Sequence, residues 1–320
     1  MITRRTLLAV AVATVPLPAL SQGFNRPIRA IVPFPPGGGV DAFARAFVPA
    51  LSAQLGQSVV IENIGGASSR LGTAAVLRAA PDGHTLLITN DTLAAIEALP
   101  VAGSGPFIAG LAPVLLAASA PQALVTHPRS GIADAAAYAA RLRAGRPTNI
   151  GVPGLGSSQH FASELLAQAL GGGPEHVSYR GGGPLLIDLL GGTIDGGVVT
   201  LGAAIDQIRD GRLVALGVSG PSRSPALPQA PTFAESVAPG FEVETWMGVL
   251  APRATPAPVI VALHAASLAA LRDAGVAQRL GALGFDTPGH GPDRFGPLLR
   301  DTAARFAAVA GAVGLRAGEA

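Results

Sequence analysis

Three observations place this chain in the α/β class. Short apolar runs alternate with helical segments along most of its 320 residues. Several of those runs end in a glycine-rich turn. Each such turn opens onto an amphipathic pattern of helical period. Alternation of this kind predicts parallel strands joined by helices, and ligands to such sheets gather at the carboxyl ends of the strands. The length suits about two domains with ample core.

The chain starts with a basic stretch, Met1-Ile2-Thr3-Arg4-Arg5, followed by a short apolar run from Leu7 to Leu17 and the small-x-small site Ala19-Leu20-Ser21. This order reads as a signal peptide over residues 1–21, with the mature chain beginning at Gln22. The apolar run is too short for a comfortable membrane span. Arg4-Arg5 admits a twin-arginine export signal, but paired basic residues are ordinary in general secretory signals, and the Sec route is the reading adopted.

Ile28 to Val32 is the first strand. It leads into Pro33-Phe34-Pro35-Pro36-Gly37-Gly38-Gly39-Val40-Asp41, after which Phe43, Phe47, Val48, Leu51 and Leu55 recur at helical spacing. Locally this is a strand, a glycine turn and a helix capped by Asp41, with Asp41 pairing with Arg45 four residues on. Such a turn brings bare backbone N–H groups to a helix N-terminus, a place to hold an anion; a tight connection without a ligand reads the same way. Ser58 to Glu62 is a second strand, ending in the turn Asn63-Ile64-Gly65-Gly66-Ala67-Ser68-Ser69. Ser68 or Ser69 is expected to cap a helix running to about Ala79. Pro81-Asp82-Gly83 is a turn and His84 to Thr89 a third strand.

Thr92 to Leu99 is read as a helix, and from Val114 to Thr126 two strand-like runs flank Ala120-Pro121. Ile132 to Arg143 is an alanine-rich helix. Thr148 to Val152 then repeats the opening logic: a strand, the turn Pro153-Gly154-Leu155-Gly156-Ser157-Ser158, and a helix carrying Phe161, Leu165, Leu166 and Ala169. His176 to Arg180 is a strand, and Gly181-Gly182-Gly183-Pro184 starts the next helix, with the proline where its missing N–H costs nothing. Gly197 to Leu201 and Leu213 to Val218 are strand-like, Pro221 to Pro231 is a proline-rich connection, and Val243 to Leu250 holds Trp246, read as a packing residue. Helices over Val259–Leu271, Ala277–Leu283 and Arg294–Val313 close the chain.

Composition narrows the chemistry. Hydrophobic residues make up 49% of the chain, but much of that is alanine. There is no cysteine, which excludes disulfides, a thiol nucleophile and a cysteine zinc site. All 22 basic residues are arginine, so there is neither a Schiff-base lysine nor a Walker A loop. The formal charge is +2, and no arginine run forms a basic stripe, which argues against nucleic acid as a partner. His84, His127, His176, His264 and His290 show no paired ligand spacing, so no metal site is expected.

Taken together, several stretches resemble the Bug family, the periplasmic solute receptors of tripartite tricarboxylate transporters. They are Val32 through Asp41 with Arg45, Pro81-Asp82-Gly83-His84-Thr85-Leu86-Leu87, Gly154-Leu155-Gly156-Ser157-Ser158-Gln159-His160, His176-Val177-Ser178-Tyr179-Arg180-Gly181-Gly182, Asp188-Leu189-Leu190-Gly191-Gly192, Pro231-Thr232-Phe233-Ala234-Glu235 and Trp246-Met247-Gly248-Val249-Leu250-Ala251-Pro252. The resemblance implies a two-lobed type II periplasmic binding protein, each lobe a mixed sheet flanked by helices. Lobe 1 would comprise residues 22–124 plus 220–320 and lobe 2 residues 125–219, with hinges near Leu124–Val125 and Ser219–Pro221. It implies a monomeric, non-enzymatic receptor without a cofactor. Such a receptor holds a small carboxylate and serves a permease of two integral membrane subunits.

Carried over by position, the resemblance points to Gly37, Gly38, Gly39, Gly156, Ser157, Ser158, Gly181 and Gly182 as ligand-binding, with Ser68 and Ser69 nearby. In the second turn Ile64 stands where the family has arginine, and Ser68-Ser69 replace paired glycines. The first turn is then half of a clamp facing Gly154–Ser158 and Gly181–Gly183. Of the remaining candidates, His160 suits a cap partner or pocket edge, and Asp41 a cap or a contact to a ligand ammonium. Asp188 suits a brace for its turn, and Tyr179 lies beside it. Arg180 suits either a bidentate carboxylate partner or a surface position. Ser157 and Ser158 lack the Gly-x-Ser-x-Gly elbow of a hydrolase, and capping plus ligand hydrogen bonding is the reading kept. Two other functions remain open on the sequence: a receptor for a membrane sensor kinase, and an exported hydrolase.

Overall fold

The structure, a computed structural model, describes residues 24–101 and 106–315. Residues 1–21, expected to be a signal peptide, lie outside the described residues. Among the described residues, nine strands form one continuous mixed sheet: β1 (Ile28–Val32), β2 (Val59–Asn63), β3 (Thr85–Asn90), β4 (Leu111–Thr126), β5 (Asn149–Val152), β6 (Glu175–Ser178), β7 (Gly196–Thr200), β8 (Val214–Val218) and β9 (Glu244–Pro252). The helices are α1 (Gly39–Leu55), α2 (Arg70–Leu77), α3 (Thr92–Ala98), α4 (Ala135–Arg143), α5 (Ser158–Leu170), α6 (Gly182–Gly191), α7 (Leu201–Arg209), α8 (Phe233–Ser236), α9 (Ala257–Leu271), α10 (Ala274–Ala282) and α11 (Pro292–Val313).

The sheet has two halves that share β4. The first half runs β2-β1-β3-β9-β4, and the second β6-β5-β7-β4-β8. The order is the same in both: two parallel crossovers place the second strand outside the first, and an antiparallel strand from elsewhere in the chain enters fourth. In the first half the intruder is β9, and in the second it is the far end of β4.

Alternation along the strands builds a layer on each face. Ile28, Ala30 and Val32 of β1 pack with Phe43, Phe47 and Leu51 of α1 and with Leu263 of α9, whereas Ile31 faces the opposite layer of Leu93, Trp246, Phe295 and Phe306. In the second half, α6 and α7 cover one face, and α4, α5 and α8 the other. Trp246 is a packing residue, edge-on to Phe295 with ring centroids 5.2 Å apart. One aromatic contact ties the halves directly: Phe161 of α5 stacks on Phe306 of α11 at 4.6 Å.

Two expectations are corrected. The runs either side of Ala120-Pro121 are one strand of 16 residues. Pro121 is tolerated because it is the last residue paired with β9; from Gln122 onward the partners are β7 and β8. A missing N–H at that change of partner leaves no ladder bond unmade. Leu201, read as the end of a strand, instead begins α7, a buried-faced helix that follows Thr200 with no loop between.

Candidate functional site

The turns that follow β1, β2, β5 and β6 all open toward the seam between the halves. In the first of these, Asp41 is not the helix cap. Gly38 occupies that position, and Asp41 sits one turn into α1. From there its carboxylate accepts from Gly37 N at 3.0 Å, Asn63 Nδ2 at 3.0 Å and Arg45 Nε at 2.8 Å. Burial alone raises its pKa, but these donors outweigh burial and hold the carboxyl below the ordinary value. With its oxygens committed to Gly37, Asn63 and Arg45, Asp41 braces the turn.

The second turn is left-handed at three successive non-glycine residues, Ala67, Ser68 and Ser69, with φ of 47°, 49° and 77°. The backbone that paired glycines would adopt is thus kept by serines, at a steric cost of about 1 kcal/mol per residue. Ser68 Oγ donates to Leu155 O at 2.9 Å, across to the second half. Ser69 stands at the cap position of α2 but makes no cap bond, since its left-handed backbone turns the hydroxyl elsewhere; Oγ is buried without a partner. The next residue, Arg70, is half-buried, and its guanidinium donates to Leu99 O at 2.6 Å and Ala67 O at 3.3 Å.

In the second half Ser157 caps α5, its hydroxyl accepting His160 N at 3.2 Å. His160 Nδ1 accepts Gly156 N at 3.0 Å, which fixes the turn from behind. Ser158 N donates to Thr92 Oγ1 at 3.3 Å, and Gln159 Nε2 reaches Thr200 Oγ1 at 3.3 Å. Gly181, at φ 136°, caps α6. Asp188 accepts the Tyr179 hydroxyl at 2.9 Å and so braces that ring, while Arg180 is exposed.

Gly37–Gly39 lie against Gly181–Gly183 and Thr200: a methyl at Gly182 would stand 3.1 Å from Gly38 Cα, and one at Gly183 2.1 Å from Pro36 O. The same stretch borders the Gly154 turn through Pro33 and Phe34, which line one cavity with Gly154 and Leu155. Gly154–Ser158 also meets Ser68, Thr92 and Leu99, a contact that was not expected, and a methyl on Gly154 would be 2.6 Å from Ser68 Oγ. Here the glycines let two backbones touch across the seam.

Among the described residues, two spaces lie along the seam between the halves. An inner pocket of about 30 Å³ is lined by Gly38, Gly39, Asn90, Gln159, Gly182 and Thr200. It sits at the N-terminus of α1, where the first-turn N–H groups have no helical acceptor. An outer cavity of about 510 Å³ is walled by the 66–70 turn on one side and by Gly154, Leu155 and Ser178–Arg180 on the other. Phe34 and Pro153 border both, so they divide one cleft into two parts. Arg70, absent from the sequence-derived site, lines the outer part. Its only sequence signal was a cation directly after a serine turn, and its opposing wall lies about a hundred residues away.

Two titratable clusters lie behind this surface. Asp91, at the end of β3, is fully buried; burial raises its pKa to about 6, against hydrogen bonds from Thr245 and Ser158 and the charge of Arg305. His160, Glu164 and His176 converge, their ligating atoms within 4.8 Å of one another, a grouping invisible to spacing because α5 and β6 each contribute. Hydrogen bonds from both histidines bring Glu164 down to about 2. Because Gly156 N–H occupies His160 Nδ1, the ring proton of neutral His160 lies on Nε2 and points at Glu164. That tautomer opposes a metal at Nε2, so the cluster as built is a hydrogen-bonded support for the Gly154–Ser157 turn.

A sheet in two halves of matching strand order, joined by crossing strands and enclosing a glycine-lined cleft, defines the solute-binding receptors of the periplasmic binding protein fold. Within that class the chain belongs to the Bug, or TctC, family: the model of the tripartite tricarboxylate transporter family receptor matches residues 43–315. BugT of Bordetella pertussis is 33% identical over 94% of this chain and 93% of its own. Among solved structures, the periplasmic binding protein BugD is 28% identical with a TM-score of 0.87, covering 91% of this chain and 99% of its own. MatC from Rhodopseudomonas palustris with bound malate is 31% identical, with a TM-score of 0.84 and coverage of 89% and 99%. Rpa4515 of R. palustris with adipate is 30% identical, with a TM-score of 0.85 and coverage of 91% and 98%. The family and these neighbours are solute-binding receptors of the periplasm, not enzymes.

Proposed function

We propose that the two halves act as lobes which close on a small carboxylate after export and removal of the signal peptide; the expected return to the first lobe at residue 220 moves to about Val243, because Leu227, Ala230 and Phe233 pack in the second half. The observation that carries this is the cleft itself, where a turn from each half reaches its opposite number through glycine and where none of the lining residues of either cavity is acidic. One carboxylate belongs at the N-terminus of α1, near Gly38 and Gly39, where backbone N–H groups and the helix dipole favour an anion. Gly182 and Gln159 face it from the other lobe. Ser157, Ser158, His160, Gly181 and Asp188 shape that wall rather than supply charge. The malate and adipate bound by two structural neighbours support this ligand class.

The partner is a permease of two integral membrane subunits, which the family's transporter association supports. A closed, monomeric receptor presents both lobes to it at once. Isothermal titration of the mature protein against mono- and dicarboxylates, with small-angle scattering to follow closure, tests the reading. Saturable binding with a smaller radius of gyration is expected. A folded protein that binds none of them would overturn the carboxylate assignment.

A further inference from the structure

We infer that Arg70 is a specificity-determining residue of this cleft, supplying fixed positive charge in the outer cavity for a second anionic group on the ligand. The inference rests on the carboxylate reading above and deepens it.

The argument starts from an uncompensated charge. Arg70 is held in place by two neutral carbonyls, Leu99 O and Ala67 O, and its buried Nε has no partner. Among the described residues no carboxylate pairs with it. Burial lowers its pKa, as expected of a cation partly withdrawn from water. Arg141, also partly buried, is by contrast matched to an acid, Asp195. The cavity that Arg70 lines also carries Arg180 on the opposite wall and no acidic side chain.

A guanidinium pinned on one side and open on the other is pre-organised for a planar oxyanion, because little side-chain entropy remains to be lost. The inner pocket is too small for more than one such group. A ligand with one carboxylate at the N-terminus of α1 would therefore pass Phe34 and Pro153 and place its second between Arg70 and Arg180. Monocarboxylates of equal length leave the two arginines unpaired.

The test is calorimetric titration of the mature protein with succinate, adipate and suberate, each against the monocarboxylate of equal length: butyrate, hexanoate and octanoate. Wild type should prefer the best dicarboxylate by at least roughly tenfold, the scale of one charged hydrogen bond. Arg70→Gln should remove most of that preference while changing monocarboxylate affinity less than about twofold. Arg70→Lys, which keeps charge without the fork, should retain part of it. A purely structural Arg70 would weaken both series equally and lower the melting temperature. That result, or a wild type without preference, overturns the inference and leaves the carboxylate reading standing. Failure of wild type to bind either series overturns both. If Arg70→Gln does not fold, the exposed Arg180→Gln carries the same comparison, and an unchanged preference there overturns the shared cation site.

Discussion

At the scale of single residues, two positions hold measurable tension. Ser69 keeps a left-handed backbone at φ 77°, and its hydroxyl has no partner. Replacing it with glycine removes a steric penalty and no hydrogen bond, so Ser69→Gly should raise unfolding stability by up to about 1 kcal/mol in chemical denaturation. A loss of stability would mean that the hydroxyl is engaged. Asp91 holds tension of another kind. The unfolded chain releases this proton near 3.8, whereas the native chain keeps it to about 6. Its contribution is thus fully present below about pH 4 and is lost as pH rises through about 6, for a cost of about 3 kcal/mol at neutral pH. Asp91→Asn has no proton to lose, so its melting temperature relative to wild type should climb between about pH 4 and pH 7. A pH-independent difference would refute the assignment.

At the scale of elements, the turns that carry the cleft are glycine-rich because they must touch. Gly183 lies in the first turn of α6, where alanine is otherwise favoured by about 1 kcal/mol. The methyl of Gly183→Ala would collide with Pro36 O. The variant should therefore fold with an unchanged or slightly higher melting temperature, yet bind ligand at least roughly tenfold more weakly, because the lobes are held apart. Retained affinity would show that these turns need not meet. The turns were legible in the sequence, since strand, glycine and hydroxyl cap are local signals. What each turn faces was legible only in part: the approach of Gly37–Gly38 to Gly182–Gly183 was expected, and the contacts of the second turn were not. Ser68 meets Leu155 from 87 residues away. The role of Asp41 was missed by a single turn of helix, because a carboxylate that reaches back from inside α1 leaves the same pattern as one that caps it.

At the scale of the whole molecule, β4 belongs to both halves of the sheet and Phe161 stacks on Phe306 between them. Calorimetry of the unliganded protein should therefore show one cooperative unfolding transition rather than two. Two resolved transitions would mean that the halves are energetically separate. The class of the fold and most strands could be read from periodicity, but the continuity of β4 could not. Proline normally interrupts a strand, and only the change of pairing partners at Pro121 makes it harmless. Arg70 was illegible for a related reason: its significance lies in what it lacks, a neighbouring acid, and that is a property of assembled space.

The chain leaves the first half at Gln122 and returns at Val243, and both points are stitched to Ser219. Gln122 N donates to Ser219 Oγ at 2.8 Å, Ser219 N to Gln122 O at 2.9 Å and Val243 N to Ser219 O at 2.8 Å, while Ser219 Oγ also donates to Val243 O. Exit and entry therefore sit within one hydrogen-bonded patch. A segment whose ends lie side by side can be lifted out and replaced without stretching its host. The span between them is in that sense a cassette. Shuffling it among related receptors would pair an unchanged Arg70 wall with new opposing walls, so ligand preference can diversify one side of the cleft at a time.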